Sequence, residues 1–203
     1  MPRVRELSAS VLLVLSRLVS AERDEAFRAL CRAVNSLSRL FTRERHALTR
    51  DRHAAHADYL TDDNLRLGYL AYFLPVNLAK VQALLDELPG LEDTLEGPRR
   101  PFRVLDLGCG PGTAAVAVLD WLRQDRSGLQ RPIEVVAVDR SGPALKEAER
   151  LWDEYRRVVG GPEAHLLPTH ADLEHSGELK HMTASGRNAY DLIVIANTLN
   201  ELF

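Results

Sequence analysis

Apolar residues in the first part of the chain recur at helical spacing. Val4, Leu7, Val11, Val14, Leu15 and Leu18 fall on one face of a first helix, because steps of three and four keep side chains on one side of a 3.6-residue repeat. After Ser20, a candidate cap, Phe27, Leu30, Cys31, Val34, Leu37 and Phe41 form a second stripe. A third helical unit starts near Thr61 and runs through Leu65, Tyr69, Leu70 and Tyr72-Phe73-Leu74. Pro75 interrupts it. Proline removes a hydrogen bond and clashes with the preceding turn, so a kink or a new helix is expected there. Leu78, Val81, Leu84, Leu85 and Leu88 carry the apolar face on to Pro89-Gly90. The aromatic cluster Tyr69, Tyr72 and Phe73 has two readings, contact with a substrate base or packing between domains.

Residues 89–101 are rich in proline, glycine and charge and mark a boundary. Beyond it the period changes to alternating strands and helices. Phe102 to Leu107 reads as a buried strand, Thr113 to Leu122 as a helix, Ile133 to Asp139 as a second strand and Pro143 to Val159 as a second helix. His165 to Pro168 reads as a short, weak third strand and Tyr190 to Ala196 as a strongly apolar fourth. Continuously apolar strands separated by helices predict a parallel sheet covered on both faces. The expected organisation is an all-helical domain over 1–98 and an α/β domain over 99–203.

Composition narrows the class. Among 203 residues, 45% are apolar and 27% charged, which fits a packed core rather than disorder. The net charge of −3 gives no overall signal for nucleic acid. It conceals a split, since residues 1–58 carry +4 and residues 59–203 carry −7. A basic helical front suits RNA phosphates, although arginine outnumbers lysine 23 to 3, a bias that a GC-rich genome also produces. The two cysteines, Cys31 and Cys109, form no CxxC pair, so a reduced, cytoplasmic setting is expected. The basic start followed by Val11-Leu12-Leu13-Val14-Leu15 mimics a secretory leader, but Glu6 and Arg17 flank and shorten the run. No stretch approaches a membrane span in length. His46, His53 and His56 share one helical face without a completing carboxylate or cysteine, which favours a solvated polar face over a metal site.

The stretch richest in chemistry is Val104-Leu105-Asp106-Leu107-Gly108-Cys109-Gly110-Pro111-Gly112-Thr113. It resembles motif I of class I S-adenosylmethionine (SAM) dependent methyltransferases, an acid-led glycine run at the end of the first strand. Small residues let the chain turn sharply into a helix and let a ligand approach the backbone. A dinucleotide fingerprint competes, but it would want a third glycine at position 113, where this chain has Thr113. Such sites hold a pyrophosphate at a helix N-terminus. SAM has no phosphate, and an acid suits its ammonium. Asp139 ends the second strand, where a carboxylate can accept both ribose hydroxyls. The cofactor-binding set is therefore Asp106, Gly108, Cys109, Gly110, Gly112, Asp139, Arg140 and Asp172. Asp172 resembles the family acid that accepts from the adenine amino group, and a plain loop acid is the competing reading. Asn197 and Asn200 follow the fourth strand, where methyltransferases face the methyl group; Asn200 and Glu201 equally suit a helix cap.

No Asn/Asp-Pro-Pro-Tyr follows the fourth strand, so exocyclic-amine methylation of a flipped base has no support. No cysteine lies near that strand, which disfavours the covalent route to 5-methylcytosine. Methyl transfer needs little acid–base help, since alignment supplies much of the rate.

Leu70-Ala71-Tyr72-Phe73-Leu74-Pro75, the motif I stretch, Val138-Asp139-Arg140-Ser141 and Thr198-Leu199-Asn200-Glu201-Leu202 together resemble the Rsm22-type family of small-ribosomal-subunit methyltransferase-like proteins. The resemblance implies a Rossmann-like class I methyltransferase sheet, SAM as cofactor, and a role with ribosomal RNA or the assembling small subunit. The family's cysteine cluster for an iron–sulfur centre has no counterpart in these residues. A class I domain has seven strands and this sequence reaches four, so a longer protein or a partner strand beside Leu192-Ile193-Val194-Ile195 is expected. Two alternatives stay open: a small-molecule or protein methyltransferase with a helical lid, and a non-catalytic assembly factor using the fold to bind.

Overall fold

The computed structural model describes residues 6–19, 24–42, 59–95, 100–125, 131–160, 163–175 and 189–198. Val4, Ser20, His46, His53, His56 and Asn200 lie outside the described residues. Helix α1 spans Ala9–Leu18 and is capped by Ser8, whose hydroxyl accepts the Val11 amide. It buries Val11, Val14 and Leu18, as its spacing predicts. Helix α2, Asp24–Thr42, departs from its predicted stripe. It buries only Ala33 and Leu37, while Phe27 and Cys31 face outward. The packing face is set by a close crossing at Gly68, where a Cβ would stand 2.9 Å from the Ala33 Cβ.

Asp62 caps helix α3, Asp63–Gly68, by accepting the Asn64 and Leu65 amides. The chain then passes without a break through a π-helical turn, Tyr69–Phe73, into helix α4, Leu74–Glu87. Pro75 does not interrupt the chain's helical course but sits in the opening turn of the new α-helix α4, as expected, where its missing N–H does no harm. The preceding turn widens to five-residue bonding, with the Leu74 amide donating to the Tyr69 carbonyl. A short helix α5, Leu91–Leu95, leads to the sheet.

Strands β1 (Phe102–Leu107), β2 (Ile133–Asp139), β3 (Ala164–His170) and β4 (Leu192–Val194) form one sheet in the order β3-β2-β1-β4, every pair parallel. The chain is thus an α/β protein with the strand order that opens a Rossmann-like sheet. Helix α6, Thr113–Asp125, joins β1 to β2, and helix α7, Gly142–Val159, joins β2 to β3. The two crossovers step in the same direction, so a common hand puts both helices on one face. Phe102, Val104, Ile133, Val135, Ala164 and Leu192 point to that face. On the other face the described residues form a small cluster around Leu105, Val136, Val138 and Ala171. Leu167, Ile193 and Ile195 on that side are exposed, so cover on both faces is not seen among the described residues.

Two strands differ from their predicted extents. β3 is longer, because an edge strand tolerates Pro168 and leaves His165 and His170 exposed. β4 is shorter, since Ile195 and Ala196 leave the ladder.

The N-terminal helices pack on α6 and α7 and share one continuous core with the sheet, from Val11 and Leu37 through Leu70 and Leu78 to Trp121, Leu151 and Ile133. A buried carboxylate joins the layers. Asp120 on α6 accepts the Ser8 hydroxyl at 2.7 Å, the Tyr155 hydroxyl at 2.7 Å and the Gln82 amide at 2.8 Å, with Gln124 as a fourth donor. Below the strands, Arg100 grips Asp191 with two bonds of 2.6 and 2.8 Å, and buried Arg131 donates to the Thr94, Leu95 and Arg100 carbonyls. These contacts fix the start of β4 beside β1, so the C-terminal strand ends meet at the opposite side.

Candidate functional site

Those strand ends open into a cavity of about 930 Å³. Its floor is the turn from β1 into α6. Gly108, Gly110 and Gly112 all adopt positive φ, +70°, +52° and +80°, which L side chains adopt only with strain. They serve different ends. A Cβ at Gly108 would lie 2.3 Å from the Thr198 side chain, and one at Gly112 would lie 2.9 Å from Ala148 Cβ on α7. Those two glycines allow close packing. A Cβ at Gly110 would meet nothing within 4 Å, so at this position the open space belongs to the cavity.

Asp139 shapes the turn. One of its oxygens accepts the Gly110 amide and the other the Ser141 amide, both at 2.8 Å. A carboxylate has about four lone-pair sites, which leaves acceptor capacity facing the cavity it lines. Asp106, one strand over, is 1% exposed, and neither of its oxygens has a hydrogen-bond partner. Burial raises its pKa to about 7. The nearby Ala115 amide draws the value down without closing a bond, and the charge of Asp139 pushes it up. An unpaired carboxyl at the wall of a cavity is a costly arrangement in the empty protein. It suits a ligand that brings a cationic donor.

The structure brings most of the sequence-predicted residues together. Asp106, Gly108, Cys109, Gly110, Asp139, Arg140, Asp172 and Asn197 all line this one cavity. Gly112 stands behind the lining and holds α7 close. Cys109 contributes backbone only, because its side chain packs with Ala137 and Leu145. Burial, then the charges of Asp106 and Asp139, push its thiol far up, so it is no nucleophile. Arg140 is exposed at the rim. Asp172 turns the chain after β3 by accepting the Glu174 amide at 3.0 Å, and that bond, with His175 and Arg140, lowers its pKa. Asn197 is exposed and holds φ +61°, a left-handed conformation that asparagine tolerates better than most residues. The Thr198 hydroxyl beside it donates to the Gly108 carbonyl at 3.1 Å. Among the described residues no group of three His, Cys, Asp or Glu is placed to hold a metal.

Sequence reasoning found only part of the roof, Tyr69 and Phe73 in the aromatic cluster. The wall opposite the glycine turn comes from the N-terminal helices and carries Phe41, Tyr59, Tyr69 and Phe73. These rings touch in a chain: Phe41 to Tyr59 at 5.6 Å and to Phe73 at 5.1 Å, both edge-on, with Tyr69 near-parallel to Phe73 at 6.0 Å. The Tyr69 hydroxyl lies 3.2 Å from that of Thr113, the first residue of α6. The predicted aromatic cluster therefore divides, with Tyr69 and Phe73 turned inward and Tyr72 exposed. The four-residue step from Tyr69 to Phe73 was the available signal. Phe41 and Tyr59 gave none, being brought in by tertiary packing. No helix among the described residues is long and apolar enough to cross a membrane.

No protein-family model matches the chain, and no curated protein is similar to it.

Proposed function

We propose that this protein is a SAM-dependent methyltransferase with a Rossmann-like class I sheet, acting on ribosomal RNA or the assembling small ribosomal subunit. The observation that carries the reading is the pairing of Asp106, buried and without partners, with the open space over Gly110. The residues fit SAM better than a dinucleotide. Asp106, Asp139 and Asp172 put three carboxylates around the glycine turn, which favours a cationic ligand and repels a pyrophosphate. When bound, SAM supplies a methyl group already activated by its sulfonium. In this assignment Asp139 accepts the ribose hydroxyls through its remaining lone pairs. Asp106 balances the ammonium of the methionine part, and Asp172 accepts the adenine amino group. Gly110 leaves its face open for close approach. Asn197 and, outside the described residues, Asn200 face the acceptor.

The ribosomal acceptor rests on the resemblance of the four sequence motifs and on the basic front. Arg28, Arg32 and Arg39 lie exposed along α2, where phosphate contacts would form.

Calorimetry tests the cofactor. Wild type is expected to bind SAM, and Asp139→Ala to lose it while keeping its circular dichroism. No binding by folded protein at millimolar SAM removes the reading. Transfer of a labelled methyl group to small-subunit RNA then tests the acceptor. Binding with no transfer to RNA, protein or small molecules supports the non-catalytic factor instead.

A further inference from the structure

The cavity is divided by charge. All its charged lining side chains come from the sheet side, at Asp106, Asp139, Arg140, Asp172, Glu174 and the histidines beside them. Among the described residues, those that the N-terminal part contributes to the lining, from Phe41 to Val81, are uncharged. We propose that this aromatic end, walled by Phe41, Tyr59, Tyr69 and Phe73, is the acceptor compartment and takes one flat, uncharged heteroaromatic ring. The proposal rests on the methyl-donor reading for the other end.

Five features support it. A charged acceptor group, a phosphate above all, finds no charged partner among the described residues of that wall, and burying it there would be costly. Aromatic faces and edges attract other rings in offset or edge-on contact at the spacings these four already keep among themselves. The wall is also anchored to the donor end, because Tyr69 meets Thr113 at the start of α6. Ring and methyl donor are thereby held in one frame, the condition for an aligned transfer. The π-helical turn contributes Tyr69 and Phe73 from one segment, and such turns recur at functional sites. Asn77, the amide side chain on this wall among the described residues, gives the ring edge a polar contact.

The same ring chemistry has two sources, a free heterocycle or a base of an RNA strand, and the experiment separates them. The full chain is saturated with S-adenosylhomocysteine, so that the adenosine site is filled. Quinoline, cytidine and a short single-stranded oligonucleotide are then titrated and followed by NMR. Expected are intermolecular NOEs from the probe ring to aromatic side-chain protons. Phe73→Leu, which keeps apolar bulk, is expected to weaken the probe roughly tenfold with S-adenosylhomocysteine affinity unchanged. Tight oligonucleotide with weak free rings supports a nucleic-acid source, and free rings binding as well supports a small molecule. No ring contact by any probe at millimolar concentration, or equal binding in Phe73→Leu, overturns the proposal. Failure of S-adenosylhomocysteine to bind removes the methyl-donor reading and the acceptor role with it. Titration of the rings into the free protein then still decides whether the wall is a ring site.

Discussion

Asp106 keeps its proton up to about pH 7 in the folded chain but only to 3.8 when unfolded. Folding therefore takes up a proton between those values, and the contribution of this residue to stability falls as pH rises from about 4 to about 7. Asp106→Asn, neutral throughout, is expected to lose that slope. Denaturant titrations should show it gaining on the order of 4 kcal/mol over wild type between pH 4 and pH 8, while SAM affinity drops. A wild-type stability that stays flat across this range in the same window counts against the unpaired carboxyl. The glycines give a second contrast. Gly108→Ala forces a Cβ onto Thr198 and should cost several kcal/mol of stability, about 3 or more. Gly110→Ala adds only backbone strain of about 1–2 kcal/mol, and its main loss should be in SAM affinity by calorimetry. Spacing made the acids and glycines readable. It did not reveal that Asp139 has amide partners and Asp106 has none, because that depends on backbone directions after the turn.

Helices were legible from their 3.6 period, but their caps were not: the structure caps α1 with Ser8 and α7 with Ser141, neither of which the sequence reading singled out as a cap. The π-helical turn was not legible either, because steps of three and four fit a π turn and an α turn alike, and Pro75 pointed to a break. The Asp120 junction was equally hidden. Its donors sit on α1, α4, α6 and α7, and no sequence window contains them together. Asp120→Ala takes away the acceptor of the buried Tyr155 hydroxyl and one of the two acceptors of the Gln82 amide, and is expected to cost about 3–5 kcal/mol, read from the denaturation midpoint. Ser8→Ala loses a cap and one donor and should cost about 1 kcal/mol. β3 was underread because His165, Thr169 and His170 are polar and Pro168 is a proline, which breaks the apolar run on which a buried strand is recognised.

At the scale of the molecule, the predicted boundary at 89–101 separates two kinds of periodicity, yet the core runs across it. Trp121 and Trp152 sit within that core beside residues from the N-terminal helices. Tryptophan fluorescence and far-ultraviolet dichroism are accordingly expected to report one coincident unfolding transition; two separate midpoints would show that the helical part unfolds alone. The division of the cavity between sheet ends and helical roof also has a bearing on how this protein changes over time. In the proposed reading, whatever grips the donor is encoded by one stretch of the chain, and whatever greets the incoming guest is encoded by another. On that reading, changes in the roof alone redirect the choice of guest while the floor stays untouched, so chains that share the floor need not share a target.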